Sequence, residues 1–113
     1  MGMTNQIISD AEAEESINWL ANNDYELAAA QAQYNRMNEG KKVVIAELSR
    51  ASKAKSAKDR EAEALACAEY SEYLDQLQEA EKHYLSLRYR VTAVTAKLDV
   101  WRTLQANQRK THV

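Results

Sequence analysis

The chain has 113 residues with no proline, two glycines, one cysteine and a formal net charge of −2 at pH 7. One cysteine excludes an intrachain disulfide, and two glycines exclude a phosphate-cradling loop or a dinucleotide fingerprint. Ala, Glu, Gln, Leu, Lys and Arg dominate and the nearest thing to a strand is Val43-Val44-Ile45, so the predicted class is all-α.

Residues 1–6 read as a frayed start. Ser9-Asp10-Ala11-Glu12 fits a capping box, in which the serine caps the first turn and the glutamate reaches back. A short helix over 10–21 is expected to turn Ala13, Ile17 and Leu20 inward, with Trp19 off that stripe as the mark of a second contact surface. Asn22-Asn23-Asp24 clusters cap and turn residues and predicts a break. A second helix then runs over 24–52. Its uncharged seam, in alternating steps of three and four, is Leu27, Ala30, Tyr34, Met37, Val44, Leu48 and Ala51, interrupted by Lys41. Gly40, beside that lysine, marks the weakest turn, because glycine inside a helix costs about 1 kcal/mol relative to alanine.

Residues 52–59, SKAKSAKD, are able to extend a helix, so one unbroken rod is the alternative to a turn here. The phases decide for the turn: continuing the first seam in step would place Lys55, Lys58, Glu69 and Glu72 on it. Ser56 followed by Asp59 is a second cap signal. A third helix is predicted over 59–108, and its seam organises the chain: Ala66, Tyr70, Tyr73, Leu77, Ala80, Tyr84, Leu87, Val91, Val94, Leu98 and Trp101. Uncharged residues at this heptad spacing describe a stripe roughly 50 Å long, coiled-coil-like in its period.

Folding the chain back on itself pairs positions whose numbers add to 114. Tyr34 then faces Ala80 and Ala30 faces Tyr84, large against small as interdigitating layers require, while Met37 faces Leu77 and Leu20 faces Val94. Lys41 would lie beside Glu72, its stem on apolar surface. Glu81, off the seam, is expected to matter little. The predicted architecture is a long antiparallel helical hairpin with a short N-terminal helix, in a single domain. Two helices enclose no core, and Leu65, Leu74, Leu85, Val43, Ile45, Val100 and Leu104 widen the stripe. A dimer of hairpins forming a four-helix bundle satisfies them; a compact three-helix monomer is the competing arrangement.

Charge is unevenly distributed. Residues 1–81 carry sixteen Asp or Glu and eight Lys or Arg, whereas 82–113 carry seven Lys or Arg against Asp99 alone. Arg88, Arg102 and Arg109 fall at multiples of seven, with Arg90 and Lys97 in a neighbouring row. Such a ladder is suited to following phosphates without reading bases, with Tyr89 and Trp101 as stacking surfaces. The same cations suit the acidic half of another copy equally well.

No catalytic constellation is present. Glu79 and His83 lie one turn apart near Glu72 and Asp75, but paired Glu-x-x-His motifs are lacking, so no metal, cofactor or enzyme is expected. His112 lies in a tail expected to be mobile, and Cys67 reads as a small packed side chain. No basic stretch followed by an apolar core opens the sequence and no run is long enough to cross a bilayer, so a cytoplasmic protein without membrane contact is expected.

The segment Val100-Trp101-Arg102-Thr103-Leu104-Gln105-Ala106-Asn107-Gln108-Arg109, preceded by Tyr84-Leu85-Ser86-Leu87-Arg88, resembles the end of small helical proteins encoded among the recombination and replication genes of tailed phages and prophages. The resemblance implies an accessory protein and assigns no residue a role. The sequence therefore predicts a self-associating helical adaptor or scaffold with an unidentified protein partner, or alternatively a sequence-nonspecific nucleic-acid-binding accessory factor.

Overall fold

The computed structural model describes residues 7–111; the frayed start and His112 lie outside them. Helices account for nearly all of these residues and no strand occurs among them: α1 covers Asp10–Glu39, α2 Lys41–Ala51, α3 Ala57–Ala66 and α4 Ala68–Thr111. Contacts group the chain in two compact units, one made of Met1–Leu27 with Ser86–Val113 and the other of Ala28–Leu85.

The helix starts follow the cap signals. The Ser9 hydroxyl accepts from the Glu12 N–H (3.1 Å) and the Ser56 hydroxyl from the Asp59 N–H (3.0 Å), each satisfying a donor that the first turn leaves without a partner. Glu12 does not reach back as a capping box would; its carboxylate pairs with Lys97 instead.

Three helix boundaries differ from expectation. The break at Asn22-Asn23-Asp24 does not occur, because the Asn23 amide donates to the Trp19 carbonyl (2.8 Å) within an uninterrupted α1. A turn-forming side chain that bonds back onto its own helix no longer competes with it. The helical phase that follows brings Ser16 inward (6% exposed), with its hydroxyl on the Glu12 carbonyl (2.9 Å), and leaves Ile17 half exposed (50%). Gly40 divides α1 from α2, although its backbone stays near-helical and the Gly40 N–H still reaches the Arg36 carbonyl (3.0 Å).

The third difference is at Cys67, where an extended residue (ψ 159°) separates α3 from α4 inside the predicted third helix. One non-helical residue shifts the phase by about one position. Ala64 and Cys67 therefore turn inward ahead of Tyr70, and Ala66 lies exposed.

In the Ala28–Leu85 unit the chain reverses over residues 52–56, and α2 packs against α3. Arg60 Nη1 donates to the Ala54 and Lys55 carbonyls (3.1 and 3.0 Å), and the Ser52 hydroxyl donates to the Glu63 carboxylate, so the turn is tied to α3. The second half of α1 meets the first half of α4 in antiparallel order. Tyr34 stacks on Tyr84 (ring centroids 5.8 Å apart) and its hydroxyl donates to Glu81 (2.8 Å), while the Tyr73 hydroxyl donates to the Met37 carbonyl (2.5 Å). Expected opposite alanines, the two tyrosines instead lie against each other, because long helical side chains lean toward the preceding turn. Glu81, expected to be idle, holds Tyr34, and that hydrogen bond raises the phenol's pKa above its ordinary value.

A Cβ at Gly40 would stand 2.9 Å from the Tyr73 hydroxyl, so the glycine admits the Tyr73–Met37 bond. Gly40→Ala gains about 1 kcal/mol of helix propensity and displaces a bond of about 1 kcal/mol. The two effects should nearly cancel. In a Tyr73→Phe background the same substitution should be more favourable than in the wild type by about 1 kcal/mol, as read from urea unfolding of the four proteins. The crowding of the new Cβ by the Arg36 carbonyl (3.1 Å) is common to both backgrounds.

Candidate interaction surface

The second half of α4 carries the predicted basic ladder within the Met1–Leu27/Ser86–Val113 unit. There α1 and α4 again run antiparallel, and much of the ladder is engaged by the chain itself. The Arg90 guanidinium lies 4.6 Å from the centre of a Trp19 ring, within the range of a cation–π contact. Lys97 Nζ stands 3.4 Å from Glu12, and Arg102 Nη1 3.0 Å from Asp99. Arg88 and Arg109 are exposed, the latter beside a shallow depression it shares with Trp101, Arg102 and Gln105. Of the five candidate cations, Arg90, Lys97 and Arg102 have partners within the chain, and all but Lys97 are exposed to solvent.

Trp101 is half-buried on the seam. Its indole N–H donates to Asp10 (2.9 Å), which also accepts from the Gln105 amide (3.1 Å). Asp10 is the first residue of α1, where the helix dipole favours a carboxylate. Trp101 is therefore not offered as a stacking platform, whereas Tyr89 remains 66% exposed. Trp19, set off the stripe in the sequence, is the seat of Arg90. The acidic anchors Asp10 and Glu12 were missed as functional partners. Their signal was the charge asymmetry combined with the antiparallel register, which already brought the two ends of the chain together.

Along the seam, Leu27, Tyr34, Met37, Val44, Leu48, Leu77, Tyr84, Leu87, Val91, Val94 and Trp101 are partly buried, Tyr70 and Leu98 are buried, and Ala51 is exposed. Of the residues expected to widen it, Ile45, Leu85 and Leu104 are partly buried, while Val43, Leu65, Leu74 and Val100 are exposed. An open groove of about 620 Å³ runs between α2 and α3, with Ile45, Ala46 and Ala57 on its floor and Lys42, Arg50, Arg60 and Glu61 at its rim.

Cys67 is half-buried and its thiol donates to the Ala64 carbonyl (3.1 Å). At the start of α4 the Glu69 carboxylate accepts from its own backbone N–H, which with the nearby Cys67 side chain lowers its pKa from the ordinary value. Glu79 pairs with Lys82 (3.1 Å). Among the described residues no group of three His, Cys, Asp or Glu is placed to hold a metal ion, and no helix is long and apolar enough to cross a membrane.

No family model matches the chain, and neither a curated protein nor a solved structure is found similar to it.

Proposed function

We propose that the protein is a non-enzymatic helical adaptor or scaffold that associates with itself, its antiparallel helices zipped as in a coiled coil and pairing with a second copy as a four-helix bundle. Surface carries this reading. The chain buries few apolar side chains among its described residues. Its buried apolar residues are Ile8, Ala13, Ala30, Ala64, Tyr70 and Leu98, among which alanine predominates. Large apolar side chains such as Ile17, Val43, Leu65 and Val100 stand in solvent, open to contact with a second copy. A cytoplasmic accessory role among phage or prophage genes fits a small binding protein of this kind.

Sedimentation equilibrium tests the reading. A species of twice 12.8 kDa at micromolar concentration is expected, and a single 12.8 kDa species at every concentration would refute it.

The alternative, contact with nucleic acid through Arg88, Arg90, Lys97, Arg102 and Arg109, draws support from exposed Arg88, Arg109 and Tyr89. It has less support than self-association, because Lys97, Arg102 and Arg90 already have partners in the chain. Titration with single- and double-stranded DNA at two salt concentrations separates the readings, since phosphate contacts make affinity fall steeply with salt.

A further inference from the structure

Two residues beyond each of the seam positions Leu87, Val91, Val94 and Leu98 stands another uncharged residue: Tyr89, Ala93, Ala96 and Val100. Two residues turn the helix by about 200°, so this second row runs along the side of α4 that faces away from the seam. It keeps the seam's own spacing and is exposed along its length, Tyr89 to 66% and Val100 to 45%. The hydroxyls beside it are turned back into the helix. Thr92 donates to the Arg88 carbonyl (3.2 Å) and Thr103 to the Asp99 carbonyl (3.0 Å). Asp99, the one acid of this segment, is held by Arg102. What remains outward is an apolar strip with small residues at its middle and the cations Arg88, Arg90 and Lys97 to its sides.

We propose that this outer face of α4 docks the acidic stretch of a second copy, residues 59–81. The inference rests on the self-association reading and names the surfaces that meet. Two copies of the outer face cannot serve each other well: Arg88 and its neighbours would meet their own kind, and juxtaposed like charges oppose association. The chain carries the complement itself. Residues 59–81 hold eight Asp or Glu against Arg60 alone. Within that stretch Leu65 and Leu74 are exposed, to 49% and 39%. A leucine of one copy fits the gap that Ala93 and Ala96 leave in the other, large side chain against small, while acids and cations line the rim.

The experiment is sedimentation of the full-length protein at low salt and at about 0.5 M NaCl, where the Debye length falls well below 10 Å. Tyr89→Glu/Val100→Glu should weaken dimerisation by about tenfold or more, as loss of an interface anchor does, while circular dichroism of the dilute protein stays unchanged. Arg88→Glu and Glu72→Lys/Asp75→Lys should each associate poorly alone, and mixing them should restore the dimer. A dimeric wild type whose Tyr89→Glu/Val100→Glu form dimerises equally well overturns the surface and leaves self-association standing. A wild type that stays monomeric overturns both. Tighter self-association of Arg88→Glu would show α4 meeting α4, and would also overturn the proposal.

Discussion

Leu98→Asp is expected to abolish the cooperative thermal transition, and Leu98→Ala to lower stability by about 2–5 kcal/mol, the usual cost of emptying a leucine site. Leu98 is 4% exposed, among the most buried large side chains of a chain that buries few. A protein of this size has about 5–15 kcal/mol of stability in all, so alanine alone removes a large share of it. Aspartate adds the cost of burying a carboxylate where an apolar side chain stood. The neighbouring position supplies the control. Val100 is 45% exposed, and Val100→Asp should change the stability of dilute, dissociated protein by less than about 0.5 kcal/mol, as surface substitutions do. Thermal melts followed by circular dichroism decide. If the two substitutions cost the same, Leu98 is not on the buried face and the seam is drawn on the wrong side of α4.

The seam was legible because its signal repeats. From Tyr70 to Trp101 every heptad position is at least partly buried, whereas of the charged residues between them only Glu81 and Lys97 are not exposed, and the row continues to Gln105. On the first helix the same spacing runs unbroken from Ala13 through Ser16, Leu20 and Asn23 to Leu27. Two polar residues on that row concealed it. Ser16 and Asn23 satisfy their own side chains on carbonyls one turn back, which makes them compatible with a helix interior, although their composition signals a turn. The break at Cys67 had no composition signal at all. Ala66-Cys67-Ala68 carries neither glycine nor proline, and a single extended residue is decided by how Ala64 and Tyr70 pack, which is tertiary information.

The interaction surface was legible in charge and not in geometry. Counting residues separates an acidic stretch from a basic end, and the ladder of cations on α4 follows from spacing. Which cations face outward does not follow, because it depends on what lies across from each. Lys97 and Arg90 are taken up by Glu12 and Trp19, residues far away in sequence. Such exposed pairs contribute little stability, about 0–1 kcal/mol each. Their consequence is for recognition: a cation already beside a carboxylate carries less net charge to a second partner. The stacked tyrosines were missed for a related reason. Register predicts which backbones are level, whereas contact between Tyr34 and Tyr84 depends on the direction in which long side chains lean.

Tyr70→Ala should cost about 3–5 kcal/mol, the range for truncating a buried aromatic ring, whereas Tyr70→Phe should cost no more than about 1 kcal/mol. Tyr70 is 9% exposed and lies in the first turn of α4, just beyond the extended residue at Cys67. The inward row changes phase there, from Ala64 and Cys67 on one side of the break to Tyr73 and Leu77 on the other. Tyr70 is the one residue that belongs to both rows, three positions from Cys67 and three from Tyr73. Alanine at this point would leave a void where two small side chains, Ala64 and Cys67, already line the same row, and neither is long enough to collapse into it. Urea unfolding with an unchanged slope would report stability alone. A loss under about 1 kcal/mol would mean that the phase change needs no large side chain to bridge it, and that α3 and α4 meet by backbone geometry rather than by packing.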